Sequence, residues 1–462
     1  MKVYLFLIFI IFFSNSVLPQ NKIIIHDIKI TGNSITKDNI ILREIPFKIG
    51  EKIEIKDLKL KLNQAKINLT NLNLFNFIEI SDSIKNVQAV VHINVVERWY
   101  FWPYPIFEIS DRNFNTWWKE FKRNNYTDFS RLNYGVFFNW ENFRGQNELI
   151  QFKVRKGFKE HYLIGYNKPQ LNINEHIGIN LFSQIFRRKK TFYTTSHDTL
   201  LYYTDNNKYT SIDYETHAEI LFRKKINYIH KLKIAYFLSK ISKQIAILNP
   251  NYLANESEIG SFIKFSYEFE KNFLDYNIYP LEGHFLQFEC TKYLQLKSPV
   301  NYFEIVGKIE KHQKIQRRMF FGSSIKGKWN NVNSIAYFAQ KALGFDDYIR
   351  GYEYYVIDGQ KFWLSKSIFK FALIEKNTFL IPKIKMTQFK KTHYSIFLTL
   401  FSDMGYVVNN QNVNTNLLPN SFLWSQGISI DYLTYYDKLL RIEFSRNHLG
   451  EKGLFLHFSN PF

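Results

Sequence analysis

The side chains best suited to metal ligation or nucleophilic attack in this 462-residue chain are twelve histidines and one cysteine, and their spacing supports neither chemistry. No histidine pair falls in an H-E-x-x-H pattern, and no G-x-S-x-G or phosphate-cradling glycine loop occurs. Cys290 lies within a stretch of alternating apolar and polar residues, where a buried structural role is expected. His92, His161 and His457 read as wall or surface residues rather than ligands. No catalytic group, cofactor or metal is therefore expected. What remains is charge. Arg350 lies in Ile349-Arg350-Gly351-Tyr352, within a long connection, and Asp403 lies on the polar face of an alternating segment, in Phe401-Ser402-Asp403-Met404-Gly405. Taken alone, Arg350 reads as an ordinary arginine of a surface loop.

Composition bounds the elements that must position these residues. The chain carries 61 basic and 41 acidic side chains, a net charge of +20 that first suggests an anionic partner such as nucleic acid. Its first residues redirect that thought. Met1-Lys2, the apolar run Val3 to Phe13 and then Ser14-Asn15-Ser16 read as a secretory signal peptide over residues 1–20, so the mature chain leaves the cytoplasm and nucleic acid is not an expected partner. A single cysteine excludes an intramolecular disulfide framework and a zinc site of several thiolates.

The texture of the chain changes near residue 100. Over 22–98 the pattern is β-α-α-β-β, an α+β domain. A strand through Ile23, Ile25, Ile28 and Ile30 ends at Gly32-Asn33, and Thr36 opens a short helix that stops at Pro46 and Gly50. A second helix is expected from Asp57, followed by strands 75–81 and 89–97. Over 101–462 the helical period gives way to alternation. Sixteen amphipathic segments are predicted near 104–111, 131–140, 147–157, 159–168, 174–186, 210–222, 226–241, 258–271, 281–294, 301–313, 317–329, 360–373, 393–407, 424–433, 438–447 and 453–462. No later stretch is long and apolar enough for a spanning helix, and 18% aromatic residues suit interfacial girdles. The expected fold is an all-β transmembrane barrel of about sixteen antiparallel strands, because a closed barrel satisfies every backbone polar group in lipid. Long connections near 112–130, 187–209, 242–257 and 330–359 then lie outside, while 374–392 is an unexplained long inner connection.

These residues carry a resemblance. The small domain resembles a POTRA domain in its element order, in Gly32-Asn33 after the first strand, Gly50 between the helices, Leu74-Phe75 entering the second strand and Glu97 ending the third. The barrel segment is similar to the BamA-like outer-membrane assembly and translocation family. Asn142 to Asn147, with Gly157, Tyr166 and Pro169, resembles that family's first inner turn, and Asp275 to Gly283 the turn before its ninth strand. Ile349, Arg350, Gly351 and Tyr352 match its V-R-G-F/Y loop signature, and Asp403 and Gly405 its F-x-D-x-G wall motif. Leu454, Leu456, Phe458 and the terminal Phe462 resemble its C-terminal insertion signal. Two features depart from the pattern. The twelfth strand, Ser365 to Lys370, lacks the second carboxylate often found there, and only one POTRA domain is present.

The resemblance implies that the loop folds into the lumen, with Arg350 on Asp403, and that first and last strands meet at a weak seam. Pro105 and Pro461 fit such a seam because neither can donate a ladder hydrogen bond. It further implies a protein of the bacterial outer membrane with its POTRA domain in the periplasm. The implied partners are unfolded outer-membrane clients, outer-membrane lipids and periplasmic or lipoprotein accessory subunits. A channel dedicated to one exported partner, or a passive pore, is the alternative. The basic run Arg187 to Lys190 reads as a solvated face or a contact to anionic lipid head groups.

Overall fold

A computed structural model describes residues 22–109, 114–127, 132–171, 176–205, 207–253, 256–296, 301–411 and 414–459. The expected signal peptide, Pro461 and Phe462 lie outside the described residues. The chain divides into two compact units, Met1–Glu97 and Arg98–Phe462.

In the first unit a four-stranded sheet carries two helices, Asp38–Glu44 and Ile55–Asn71. Strand Lys22–Thr31 runs parallel to Gln88–Glu97, which pairs antiparallel with Phe75–Lys85. Ile40, Ile41, Leu58, Ala65 and Leu69 on the helices and Ile23, Ile25, Val91 and Ile93 on the sheet are all buried. Leu60 of the second helix is instead exposed. The element order gains a three-residue strand, Lys52–Glu54, which pairs with the start of the first strand. Thr36 does not cap the first helix through its side chain. Its backbone N–H, with those of Ile35 and the hydroxyl of Ser34, donates to the Glu97 carboxylate at 2.6–3.2 Å. The Asn33 amide reaches the Thr36 carbonyl at 2.9 Å and Asp38 at 2.6 Å, so Gly32-Asn33 joins strand to helix.

Gly32 sits at φ +89°, and a Cβ there would stand 1.9 Å from the Val95 carbonyl oxygen. Gly50, at φ +83°, meets no such obstacle, and its N–H donates to Ile25 O at 2.8 Å. Phe75 is buried opposite Glu97. Gly32→Ala is therefore expected to destabilise this unit by more than the roughly 1–2 kcal/mol of a left-handed backbone alone. Gly50→Ala should cost only that. Hydrogen exchange of the strands Lys22–Thr31 and Gln88–Glu97 in the full chain distinguishes the two.

In the second unit sixteen strands form one antiparallel meander, each paired with its sequence neighbour. They begin with Phe101–Ile109, Leu132–Phe143, Glu148–Gly157 and Lys159–Lys168, and end with Phe422–Thr434, Lys438–Asn447 and Lys452–Ser459. Side chains alternate as the pleat demands. Along Lys391–Val408, Ser395, Phe397, Thr399, Phe401 and Asp403 are buried while Leu400 and Met404 face outward. Ile428, Ile430, Ile442, Phe444, Leu454 and Phe458 continue that outward apolar surface. No helix among the described residues is long and apolar enough to cross a membrane.

Two connections differ from expectation. About half of the long inner connection is strand: Lys361–Leu380 and Lys391–Val408 stay paired out to Leu380 opposite Lys391, leaving a ten-residue turn that contains the helical turn Thr387–Lys390. The connection after Ile177–Arg188 holds its own hairpin, Lys190–Ser196 with Thr199–Thr204. Its basic residues are partnered rather than freely solvated. Arg188 pairs with Asp213, Arg187 lies over Tyr162 and Tyr209, and Lys190 lies over Tyr202.

Candidate functional site

The loop between Met319–Asn330 and Lys361–Leu380 turns inward rather than lying on the surface. Ile349, Arg350 and Tyr352 are 1%, 4% and 2% exposed, packed with Leu343, Ile357, Leu364, Val407 and Leu423. Alternation along Lys391–Val408 explains the motif spacing. Phe401, Asp403 and Gly405 are two residues apart and project to one face. Asp403 receives the Arg350 guanidinium through two bonds, 2.8 Å from Nε and 2.5 Å from Nη2, and the Arg350 backbone N–H at 3.1 Å. The guanidinium lies 3.8 Å from the centre of the Phe401 ring. Asp403 is fully buried, so this bidentate, stacked geometry supplies what a desolvated carboxylate requires.

Gly405 serves as a seat. A Cβ there would come within 2.9 Å of Ile349 Cδ1 and 3.1 Å of Trp363 O. Gly351, at φ +83°, lies against Ser425 and Ser445, and its carbonyl accepts from Asn447 at 3.0 Å. The Tyr352 hydroxyl meets Trp424 O and His448 Nδ1. The four loop residues thus touch three different strands. Where the twelfth strand lacks an acid, Lys366 stands opposite Asp403, with its ammonium 4.5 Å from the Tyr348 ring. Gly405→Val is expected to unseat Ile349 while leaving both charged partners in place. Protease accessibility of residues 344–356 in intact cells should rise, and unchanged protection would contradict the seating.

The second feature is the seam. Among the described residues no backbone ladder joins Phe101–Ile109 to Lys452–Ser459; the sheet simply ends on these two strands. Its first edge is poor in donors for a local reason. Glu141 N–H donates to Tyr100 O at 2.7 Å, and the register pairs Phe101 with Trp140. In an antiparallel pair, residues 101, 103, 105 and 107 then turn their N–H side away from Leu132–Phe143. Two of those four are Pro103 and Pro105, which have no N–H.

The last strand keeps its full complement of donors, and a side chain covers part of it. Helix Phe114–Arg123 sets the Asn115 carboxamide against Leu456: Leu456 N–H donates to Asn115 Oδ1 at 3.0 Å, and Asn115 Nδ2 donates to Leu456 O at 3.2 Å. One carboxamide thereby takes the place of a neighbouring strand. Phe114 stacks edge-on against Phe458, on the lipid-facing side, and continues into Trp117, Trp118 and Phe121. At the opposite end Arg98 pairs with Asp437 at 2.5 Å, and the Trp99 N–H donates to the Tyr436 hydroxyl at 2.9 Å. Side chains, not a ladder, thus tie the segments flanking the first strand to the last strand at one end and to the turn 435–437 at the other.

Sequence reasoning named the loop signature, Asp403, Gly405 and the last strand. It missed Asn115, the Arg98–Asp437 clasp, and Asp431, which binds Arg441 at 2.7 and 2.8 Å and Tyr279 at 2.8 Å. Phe114, Trp117, Trp118 and Phe121 recur at helical spacing and could have revealed the helix. The other pairs join distant positions and leave no spacing signal.

Residues 23–98 match the POTRA family, described as surface antigen variable number repeat. No curated protein sequence matches significantly. Among solved structures, CdiB from Escherichia coli superposes with a TM-score of 0.54 at 9% identity, over 94% of this chain and 75% of that one. BamA from Haemophilus ducreyi lacking POTRA domains 1–3 gives 0.51 at 13% identity, over 95% and 84%. A segment matching the POTRA family thus stands ahead of a sixteen-stranded sheet, and the chain shares the β-barrel fold seen in BamA and CdiB.

Proposed function

We propose that the protein is an outer-membrane assembly factor or translocator that receives unfolded clients at a periplasmic POTRA domain of residues 22–98. The barrel of residues 101–462 then passes them to the membrane through its seam. The observation that carries this reading is the absence of a strand ladder between Phe101–Ile109 and Lys452–Ser459 among the described residues. An uncovered strand edge templates strand addition, which is how an extended client is recognised without reading its sequence. In the first unit, Phe75–Lys85 forms a sheet edge whose last residues, Asp82–Lys85, are exposed, and it offers the same mode of capture. The lumen clasp supports the reading too, since a loop pinned to the wall beside the last strands fixes their position. Accessory subunits and contacts with outer-membrane lipids belong to the same proposal.

Depletion followed by quantitative proteomics of outer-membrane fractions tests it. Many barrel proteins are expected to fall together. Loss of one exported protein alone would replace the proposal with a dedicated secretion channel, and no loss would leave a passive pore.

A further inference from the structure

Beside the lumen clasp lie three side chains that neither the clasp nor the seam uses. Glu353 follows the loop signature by one residue, Glu443 projects inward from Lys438–Asn447, and His457 projects inward from the last strand. One ligand-capable atom from each lies within 4.8 Å of the others. His457 Nε2 stands 3.4 Å from Glu353 Oε1 and 3.7 Å from Glu443 Oε2. Glu443 is 0% exposed, and neither of its oxygens has a hydrogen-bond partner. His457 Nε2 is likewise buried without one. A carboxylate so placed is costly unless something positive satisfies it.

We propose that Glu353, Glu443 and His457 form a divalent metal-ion site, with Zn²⁺ the foremost candidate. Three lines of argument meet here. The donor set, one imidazole nitrogen and two carboxylates, is one that Zn²⁺ and its first-row neighbours accept, with a position left for water. The spacing from His457 is close to that of ligands around an ion: bonds of about 2.0–2.2 Å in a tetrahedron place donor atoms about 3.3–3.6 Å apart, against the 3.4 and 3.7 Å from Nε2 to the two carboxylates. The His457 ring is held for the purpose, stacked on Tyr348 with 5.7 Å between centroids and an interplanar angle of 18°. The site would also join three separate parts of the barrel, namely the inward loop, the penultimate strand and the last strand. A bound ion would therefore fasten the loop to the strand that borders the seam.

The test uses the full-length protein, purified in detergent after chelator treatment and then dialysed against Zn²⁺, or against Co²⁺ as a spectroscopic probe. About one equivalent of metal per chain is expected to remain, and Co²⁺ should show visible absorption of a low-coordinate site. Glu443→Gln and His457→Asn should each weaken binding by more than the roughly 10–100-fold that loss of a supporting group costs. Heat-modifiable migration in electrophoresis verifies that each variant still forms its barrel. The inference is overturned if the folded wild-type protein retains no metal, which would make the cluster a proton-sharing ion pair. It is equally overturned if both folded variants bind as the wild type does.

Discussion

Arg350→Ala is expected to abolish client assembly while the barrel still forms. Two of the three hydrogen bonds to Asp403 come from the Arg350 guanidinium, and its removal leaves a fully buried carboxylate with only a backbone donor from Arg350. Breaking a buried pair from one side costs about 3–5 kcal/mol, between two and nearly four powers of ten in the docking of the loop. Asp403→Ala should be as severe, since it strands the guanidinium against Phe401. Because each change destroys the same contact, the double variant should fall well short of the sum. Complementation of a depleted strain measures function, and heat-modifiability measures barrel formation. Full complementation by either single variant would remove the clasp from the mechanism, and additive losses would deny that the pair acts as a unit.

The second large effect is expected at the seam, and its sign can be set in both directions. In Asn115→Ala the two hydrogen bonds to Leu456 vanish. At about 0.5–1.5 kcal/mol each, their loss should raise amide exchange at Leu456 by one to two powers of ten, with little change at the paired strands elsewhere. A cysteine pair bridging Phe101–Ile109 and Lys452–Ser459, made in a Cys290→Ser background, should do the opposite and stop client insertion until reduced. Insertion continuing through the oxidised seam would rule out lateral passage. Unchanged exchange in Asn115→Ala would show that the helix does not guard this edge.

Legibility in the sequence followed the range of the physics involved. Alternation is local, so each of the sixteen segments could be placed from a dozen residues, and Asp403 and Gly405 were legible because F-x-D-x-G projects to one face. The extended hairpin Lys361–Leu380 with Lys391–Val408 was not legible as strand beyond the wall, where no apolar face is required and alternation fades. Thr36 looked like a cap because its type fits one, yet Glu97, 61 positions away, claims its N–H. His457 does sit in the last strand, but its approach to Glu353 and Glu443 joins positions with no local spacing to read. Net charge carries no positional information in the same way: Arg350, Arg441 and Arg188 are held on internal carboxylates, and such one-to-one pairs leave the excess of +20 untouched.

Arg98 gives the seam a mechanical aspect. It is the residue directly after Glu97, so the peptide bond between the two compact units leads straight into the Arg98–Asp437 clasp. Glu97 is itself anchored by the backbone N–H groups of Ile35 and Thr36. Arg98 also lies three residues ahead of Phe101, so the latch to the turn 435–437 and the first edge strand share one short stretch of chain.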